Sequence, residues 1–61
     1  MLNELQLGDR CSIATLDGRM TIGDYLGVET PHGDWHVLLA DRGCVESIPI
    51  GTIAAVSMIH R

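Results

Sequence analysis

Seven glycines are spread along this chain of 61 residues, and their spacing limits its fold more than any other feature. They stand at positions 8, 18, 23, 27, 33, 43 and 51. An interior glycine destabilises a helix, whereas glycine-containing turns commonly separate short strands. The spacing therefore predicts an all-β domain of short strands joined by tight turns.

The pattern predicts five strands, over residues 11–16, 20–30, 35–40, 44–48 and 52–59. Asp17 and Gly18 form the strongest hairpin signal, because both tolerate a positive φ. Pro49 cannot donate a backbone hydrogen bond, so residues 49–51 are expected to form a turn. Residues 2–7 are expected to form a short helical turn that ends at Gly8. Gly23 and Gly27 predict sharp bends or bulges where the second strand curls around a barrel.

The last predicted strand is apolar on both faces. Simple alternation places Ile53, Ala55 and Ile59 on one face and Ala54, Val56 and Met58 on the other. A domain this short buries only about 60% of its unfolded surface, yet 46% of its residues are hydrophobic. A strand buried on both faces then needs a neighbour from another subunit, so we expect the chain to form oligomers.

Charge and aromatic content argue against general nucleic-acid binding. Four arginines and no lysine face eight acidic residues, for a formal net charge of −4. Phosphate binding depends on basic groups that displace counterions. Single-stranded nucleic acid also stacks on aromatic side chains, and the chain has one Trp, one Tyr and no Phe.

Cys11 and Cys44 lack the C-x-x-C spacing, and we find neither a secretory leader nor an apolar run of the roughly 20 residues that span a bilayer. We therefore expect a single cytoplasmic domain over residues 1–61. Its two cysteines are expected to be reduced and packed as small hydrophobic side chains.

Several segments together resemble the Sm-like family, including its Hfq-like branch. Residues 16–19, 22–23, 25–28 and 37–41 resemble the first Sm motif, and 47–56 resemble the short second motif. The resemblance covers residues 8–59. It implies a five-stranded, strongly bent small barrel, related to SH3-type barrels. It also implies a homo-oligomeric ring joined through strands 4 and 5, with single-stranded RNA bound at the pore or on a ring face.

The resemblance places an RNA site in the loop before the third strand and the turn before the fifth. Carried onto this chain, the site residues are Trp35, His36, His32, Ile50 and Gly51. Trp35 or His36 stands near the asparagine that contacts a base in Sm proteins. Ile50 replaces the basic residue of the second motif, so the basic half of the family's usual RNA-binding residues is missing. Trp35 fits either base stacking or packing within the protein, and His36 fits either a pore-lining or an ordinary exposed position.

Residues 33–35 and the stretch Ile48-Pro49-x-x-x-Ile53 also resemble the Src-homology peptide-binding barrel, but the long acidic loop and the several tyrosines of that family are absent. This overlap supports the small-barrel fold more than a function. Two functions therefore stay open. The first is an RNA-binding ring, and the alternative is a scaffold ring that binds proteins and no nucleic acid.

Catalysis and metal binding find little support. Ser12, Ser47 and Ser57 lie in predicted strands without the sharp turn of a nucleophile elbow. His32 and His36 flank a turn with no cysteine pair nearby, which does not suit tetrahedral zinc. We expect no enzyme activity, no metal and no cofactor. Arg19 follows a turn and is expected either to pair with a nearby acid, Asp17 or Asp41, or to contact phosphate. Arg42 stands at another turn, where exposure to solvent and phosphate contact are both open.

Overall fold

The computed structural model describes residues 5–60 as a single five-stranded antiparallel sheet. Its strands are β1 (Arg10–Thr15), β2 (Met20–Glu29), β3 (His36–Asp41), β4 (Cys44–Pro49) and β5 (Ile53–His60), and a 3₁₀ turn (Ile50–Thr52) links β4 to β5. The prediction of an all-β chain with five strands in this order is confirmed, and each strand begins and ends within one residue of its predicted position.

The strands lie in the order β4-β3-β2-β1-β5, so β5 crosses back to pair with β1. Among the described residues, β4 and β5 are not neighbours, and each is an edge of the sheet. The sheet is therefore open, and the closed barrel expected from the resemblance is not formed by hydrogen bonds within one chain.

One face of the sheet carries the core. Its buried members are Cys11, Ile13, Tyr25, Val37, Leu39 and Ile48, with Leu5, Ile50, Ile53 and Val56 packed against them. The alternation of buried and more exposed residues along β1 and β3 follows the two-residue period of a strand. Within residues 5–60 no long helix or second sheet covers this face, so the sheet must curve strongly around the core to bury it.

The two glycines of β2 have different structural roles. Gly23 lies so close to β3 that an added Cβ would stand 2.9 Å from the Ala40 carbonyl oxygen. Gly27 has a φ of 110° and follows a register shift between β2 and β3. The predicted bulge is confirmed beside Gly27. At Gly23 the pairing of β2 with β1 is regular, and the glycine instead permits a close approach to β3.

A second register shift changes which face Ile53 occupies. Ile13 is opposite Val56, while Thr15 is opposite Ile53, so β5 contains one more residue than β1 over this interval. Ile53 and Val56 consequently both pack against the core, and the prediction that they lie on opposite faces is wrong. A bulge inserts an extra residue and reverses the alternation beyond it, which a count of residues cannot reveal.

Two further predictions need correction. Pro49 is the last residue of β4, opposite His36, because an edge strand tolerates a residue without an N–H. The predicted helical turn over 2–7 lies partly outside the described residues. Its described part is irregular and enters a turn at Leu7 and Gly8. Here the Asp9 carboxylate accepts a hydrogen bond from the Gln6 N–H, which favours a turn over a helix.

The two cysteines differ in their surroundings. Cys11 is fully buried, as predicted, whereas Cys44 is exposed at the start of β4. Both are free thiols. Cys44 begins β4 beside the two-residue turn at the end of the β3–β4 hairpin, where the core does not reach, so its prediction as a core residue is wrong.

Candidate binding hollow and sheet edges

Two segments that are distant in sequence form one hollow at the entrance to β3. Trp35 and His36 lead into β3, and His36 lies opposite Pro49 at the end of β4. The Ile50 N–H donates a hydrogen bond of 2.9 Å to the Trp35 carbonyl oxygen, which holds the 3₁₀ turn against this strand end. We call this the Trp35 hollow, an open depression of about 430 Å³. Its lining residues are Asp34, Trp35, His36, Pro49, Ile50 and Gly51.

The Trp35 hollow brings together four of the five residues predicted to bind nucleic acid: Trp35, His36, Ile50 and Gly51. His32 stands in the exposed turn before them and is not among the lining residues. Asp34 lines the hollow, although sequence reasoning did not select it. Its position directly before Trp35 was the one available signal.

The lining residues present different groups to a ligand. Trp35 is 57% exposed, so its indole is not a core residue of this subunit. Ile50 is half-buried against the core and forms a wall. A Cβ added at Gly51 would meet no other atom within 4 Å, so the backbone is open on that side.

Hydrogen bonding makes the Trp35 hollow rich in acceptors. A carbonyl oxygen only accepts, so His36 Nδ1 donates to the Asp34 carbonyl oxygen at 3.0 Å. In a neutral ring, Nε2 is then an acceptor. The Asp34 carboxylate also accepts, and Glu29 lies directly opposite His36 on β2. An electron-rich site of this kind favours a hydrogen-bond donor or a cation.

The arginines within residues 5–60 are all placed elsewhere. Arg10 contacts Asp41 at 3.1 Å and Asp24 at 3.3 Å, and hydrogen bonds to these two carboxylates raise the pKa of its guanidinium. Arg42 stands in the turn at the opposite end of β3 from His36. None of the described arginines lines the Trp35 hollow.

The β1–β2 turn has its own polar network. The Thr15 hydroxyl donates to the Asp17 carboxylate, and the Arg19 N–H donates to the same carboxylate at 3.3 Å. These two hydrogen bonds lower the pKa of Asp17. Arg19 Nε also lies 3.9 Å from Asp17, which agrees with pairing to an acid. Asp41, the other acid considered for Arg19, pairs with Arg10 instead.

The two sheet edges differ in how they are protected. β4 carries a charge at Glu46 and ends in Pro49, two features that limit unspecific pairing at this edge. Residues 53–59 of β5 contain no charged residue, no proline and no glycine. Met58 and Ile59 are 41% and 53% exposed on this strand. β5 is therefore the less protected edge.

Other kinds of site are not seen in the described part of the chain. Within residues 5–60, no three His, Cys, Asp or Glu side chains are grouped closely enough to hold a metal ion. The same residues contain no helix of the length and apolarity needed to cross a membrane. Burial raises the pKa of the Cys11 thiol, which makes this cysteine a poor nucleophile.

No protein-family model, curated protein or solved structure matches this chain. Its function is therefore inferred from its own residues and their geometry.

Proposed function

We propose that this protein is a self-assembling scaffold whose subunits pair β4 of one copy with β5 of the next, in a ring of the Sm-like kind. The observation that carries the proposal is the uncharged, exposed β5 edge. An edge strand of this kind promotes aggregation unless another strand covers it. Pairing with a second copy satisfies its free backbone groups and covers Met58 and Ile59.

The positions of the two edges favour a repeating assembly. β4 and β5 lie at opposite ends of one sheet, so a β4–β5 contact leaves a free β4 and a free β5 at the ends of every dimer. Such a head-to-tail contact continues until it closes into a ring or grows into a filament. A strongly curved subunit favours closure.

One antiparallel register aligns the faces of the two edges. If Ile48 of one subunit lies opposite Val56 of the next, the core faces of both strands become continuous. The same register sets Val45 opposite Ile59 on the outer face. Val45 is 61% exposed in the single subunit, so this pairing covers two exposed apolar side chains.

A charge on the β5 edge tests the assembly. Ser57→Lys adds a cation to this exposed edge and is expected to convert the multimer to a folded monomer in light scattering. Ser12→Lys is the matched control, because Ser12 lies directly opposite Ser57 on the interior strand β1. We expect that variant to remain multimeric. A wild-type chain that scatters as a monomer of 6.6 kDa contradicts the proposal.

RNA binding is the second candidate function. The meeting of Trp35, His36, Ile50 and Gly51 favours a binding site at the hollow. The lining provides no cation for a phosphate group, and the net charge of the chain is −4. We therefore prefer the scaffold function. An absorbance ratio at 260 and 280 nm typical of pure protein, measured on the scattering peak, is the expected result.

A cytoplasmic location is part of the proposal. Cys44 is an exposed free thiol, and Cys11 is a buried one. Free thiols persist in reducing compartments, whereas secreted domains of this size commonly carry disulfides. Fractionation of cells that make the protein is expected to recover it with the cytosol, and recovery from an oxidising compartment contradicts this part.

A further inference from the structure

We propose that the Trp35 hollow binds the cationic side chain of an arginine or lysine presented by an extended segment of another protein. The hollow lies at the entrance to β3, and all of its described lining residues belong to one subunit. The inference goes beyond assembly and does not depend on it.

The aromatic group of the site is available to a ligand. Trp35 is 57% exposed and lines the hollow, so its indole is accessible to a ligand. Tryptophan has the strongest cation–π interaction of the aromatic side chains, and arginine is its most frequent partner. An indole also buries a large apolar area when a ligand covers it.

The polar groups of the site complement a donor. The Asp34 carboxylate and, in a neutral ring, His36 Nε2 are acceptors. Glu29, opposite His36 on β2, adds a second negative charge nearby. A guanidinium or ammonium group has only donors, so it complements the Asp34 carboxylate and His36 Nε2, while Glu29, outside the lining, adds attraction at longer range.

Charge complementarity selects a basic protein over a nucleic acid. A phosphate group is an anion that only accepts hydrogen bonds. In the hollow it would meet the Asp34 carboxylate, and no arginine or lysine is among the described lining residues. The net charge of −4 repels a polyanion and attracts a basic partner at long range. Both the local and the overall charge therefore favour a cationic ligand.

The walls of the Trp35 hollow are held in place before a ligand arrives. The Ile50 N–H binds the Trp35 carbonyl, and the Thr52 hydroxyl donates to the Pro49 carbonyl at 2.7 Å. A preorganised site loses less free energy to ordering when it binds. At about 430 Å³, the hollow has room for one side chain with its flanking backbone.

The test uses the fluorescence of Trp35, which is the single tryptophan of the chain. The probe is the peptide acetyl-Gly-Ser-Arg-Ser-Gly-amide, and its control contains citrulline, a neutral side chain of the same shape, in place of arginine. We expect a saturable change with the arginine peptide and affinity at least about tenfold lower with citrulline, because a charge-assisted hydrogen bond is lost.

Two variants locate the binding. Asp34→Asn is expected to lower the affinity for the arginine peptide about tenfold. Glu46→Gln is the matched control, because it removes the same charge from an exposed residue outside the hollow, and it should bind normally. In calorimetry, Trp35→Ala should abolish binding while the melting temperature stays unchanged.

Three results overturn the proposal. One is equal affinity for the arginine and citrulline peptides, which excludes recognition of the charge. Another is a response to octauridylate with none to the arginine peptide, which assigns the hollow to nucleic acid. The third is the absence of any fluorescence change with either the arginine peptide or octauridylate at millimolar concentration.

Discussion

At the scale of single residues, Gly23 shows how a missing side chain sets the distance between two strands. An added Cβ would stand 2.9 Å from the Ala40 carbonyl oxygen and 3.1 Å from Leu39 Cβ. Leu39 is buried and cannot move away without disturbing the core. The absence of a side chain at position 23 therefore lets β2 lie close over the core.

Gly23→Ala is expected to destabilise the protein by about 1–3 kcal/mol, because overpacking displaces backbone and core atoms. Gly51→Ala is the control, since an added Cβ there meets nothing within 4 Å. Urea unfolding followed by circular dichroism measures both. Equal midpoints for Gly23→Ala and the wild type would show that β2 and β3 separate freely.

At the scale of elements, the β3–β4 turn contains a conformation that its sequence does not favour. Arg42 and Gly43 are the two residues between these strands, with φ values of 52° and 82°. Two positive φ values in a two-residue turn suit Asn-Gly, whereas arginine is strained at the first position. The hairpin therefore stores strain at Arg42.

Arg42→Asn is expected to stabilise the protein by about 0.5–1 kcal/mol, because asparagine tolerates a positive φ. In a domain of this size, that gain raises the melting temperature by several degrees. Arg19→Asn removes the same charge from a residue whose φ is not positive, and it should not raise the melting temperature. If both variants behave alike, the gain comes from charge and the strain at Arg42 is negligible.

Strands and turns were predictable because their signals are local. The alternation of Val37 and Leu39 with their neighbours and the Asp17-Gly18 turn are visible in short stretches of sequence. The shift that turns Ile53 onto the core and the inclusion of Pro49 in β4 depend on the opposing strand. Pairing between distant segments decides such features, so a local pattern does not contain them.

The candidate site was predictable only through the family resemblance. That resemblance pointed to the two segments that meet at the Trp35 hollow, although they are far apart in sequence. It also included His32, which the structure leaves in the exposed turn, and it omitted Asp34. The acidic character of the site comes from Asp34, so a family pattern located the hollow without giving its chemistry.

At the scale of the whole molecule, the core is small for the number of apolar residues. Val45, Met58 and Ile59 are among the large hydrophobic side chains that remain exposed in one subunit. A domain this short has little free energy of unfolding to spare, and burial of such residues between subunits adds to it. Assembly and stability are therefore expected to be linked.

The buried thiol of Cys11 is expected to report opening of the whole domain. In the Cys44→Ser variant, a thiol reagent should modify Cys11 only as the domain unfolds, because its side chain has no exposed surface. The rate should rise with urea in parallel with unfolding. In Cys11→Ala, the remaining exposed Cys44 should react at a rate that depends little on urea. Rapid, urea-independent modification of Cys11 would indicate that β1 opens locally.

The pairing of β5 with β1 has a consequence during synthesis. β5 leaves the ribosome after the other four strands, so each nascent chain passes through a stage in which β1 has a bare edge. Where neighbouring ribosomes translate the same message, the β5 of one chain can reach the β1 of another and produce a domain-swapped pair. Swapping keeps every native contact of β5 while joining two chains, so the fold offers a second, concentration-dependent route to oligomers beside edge pairing.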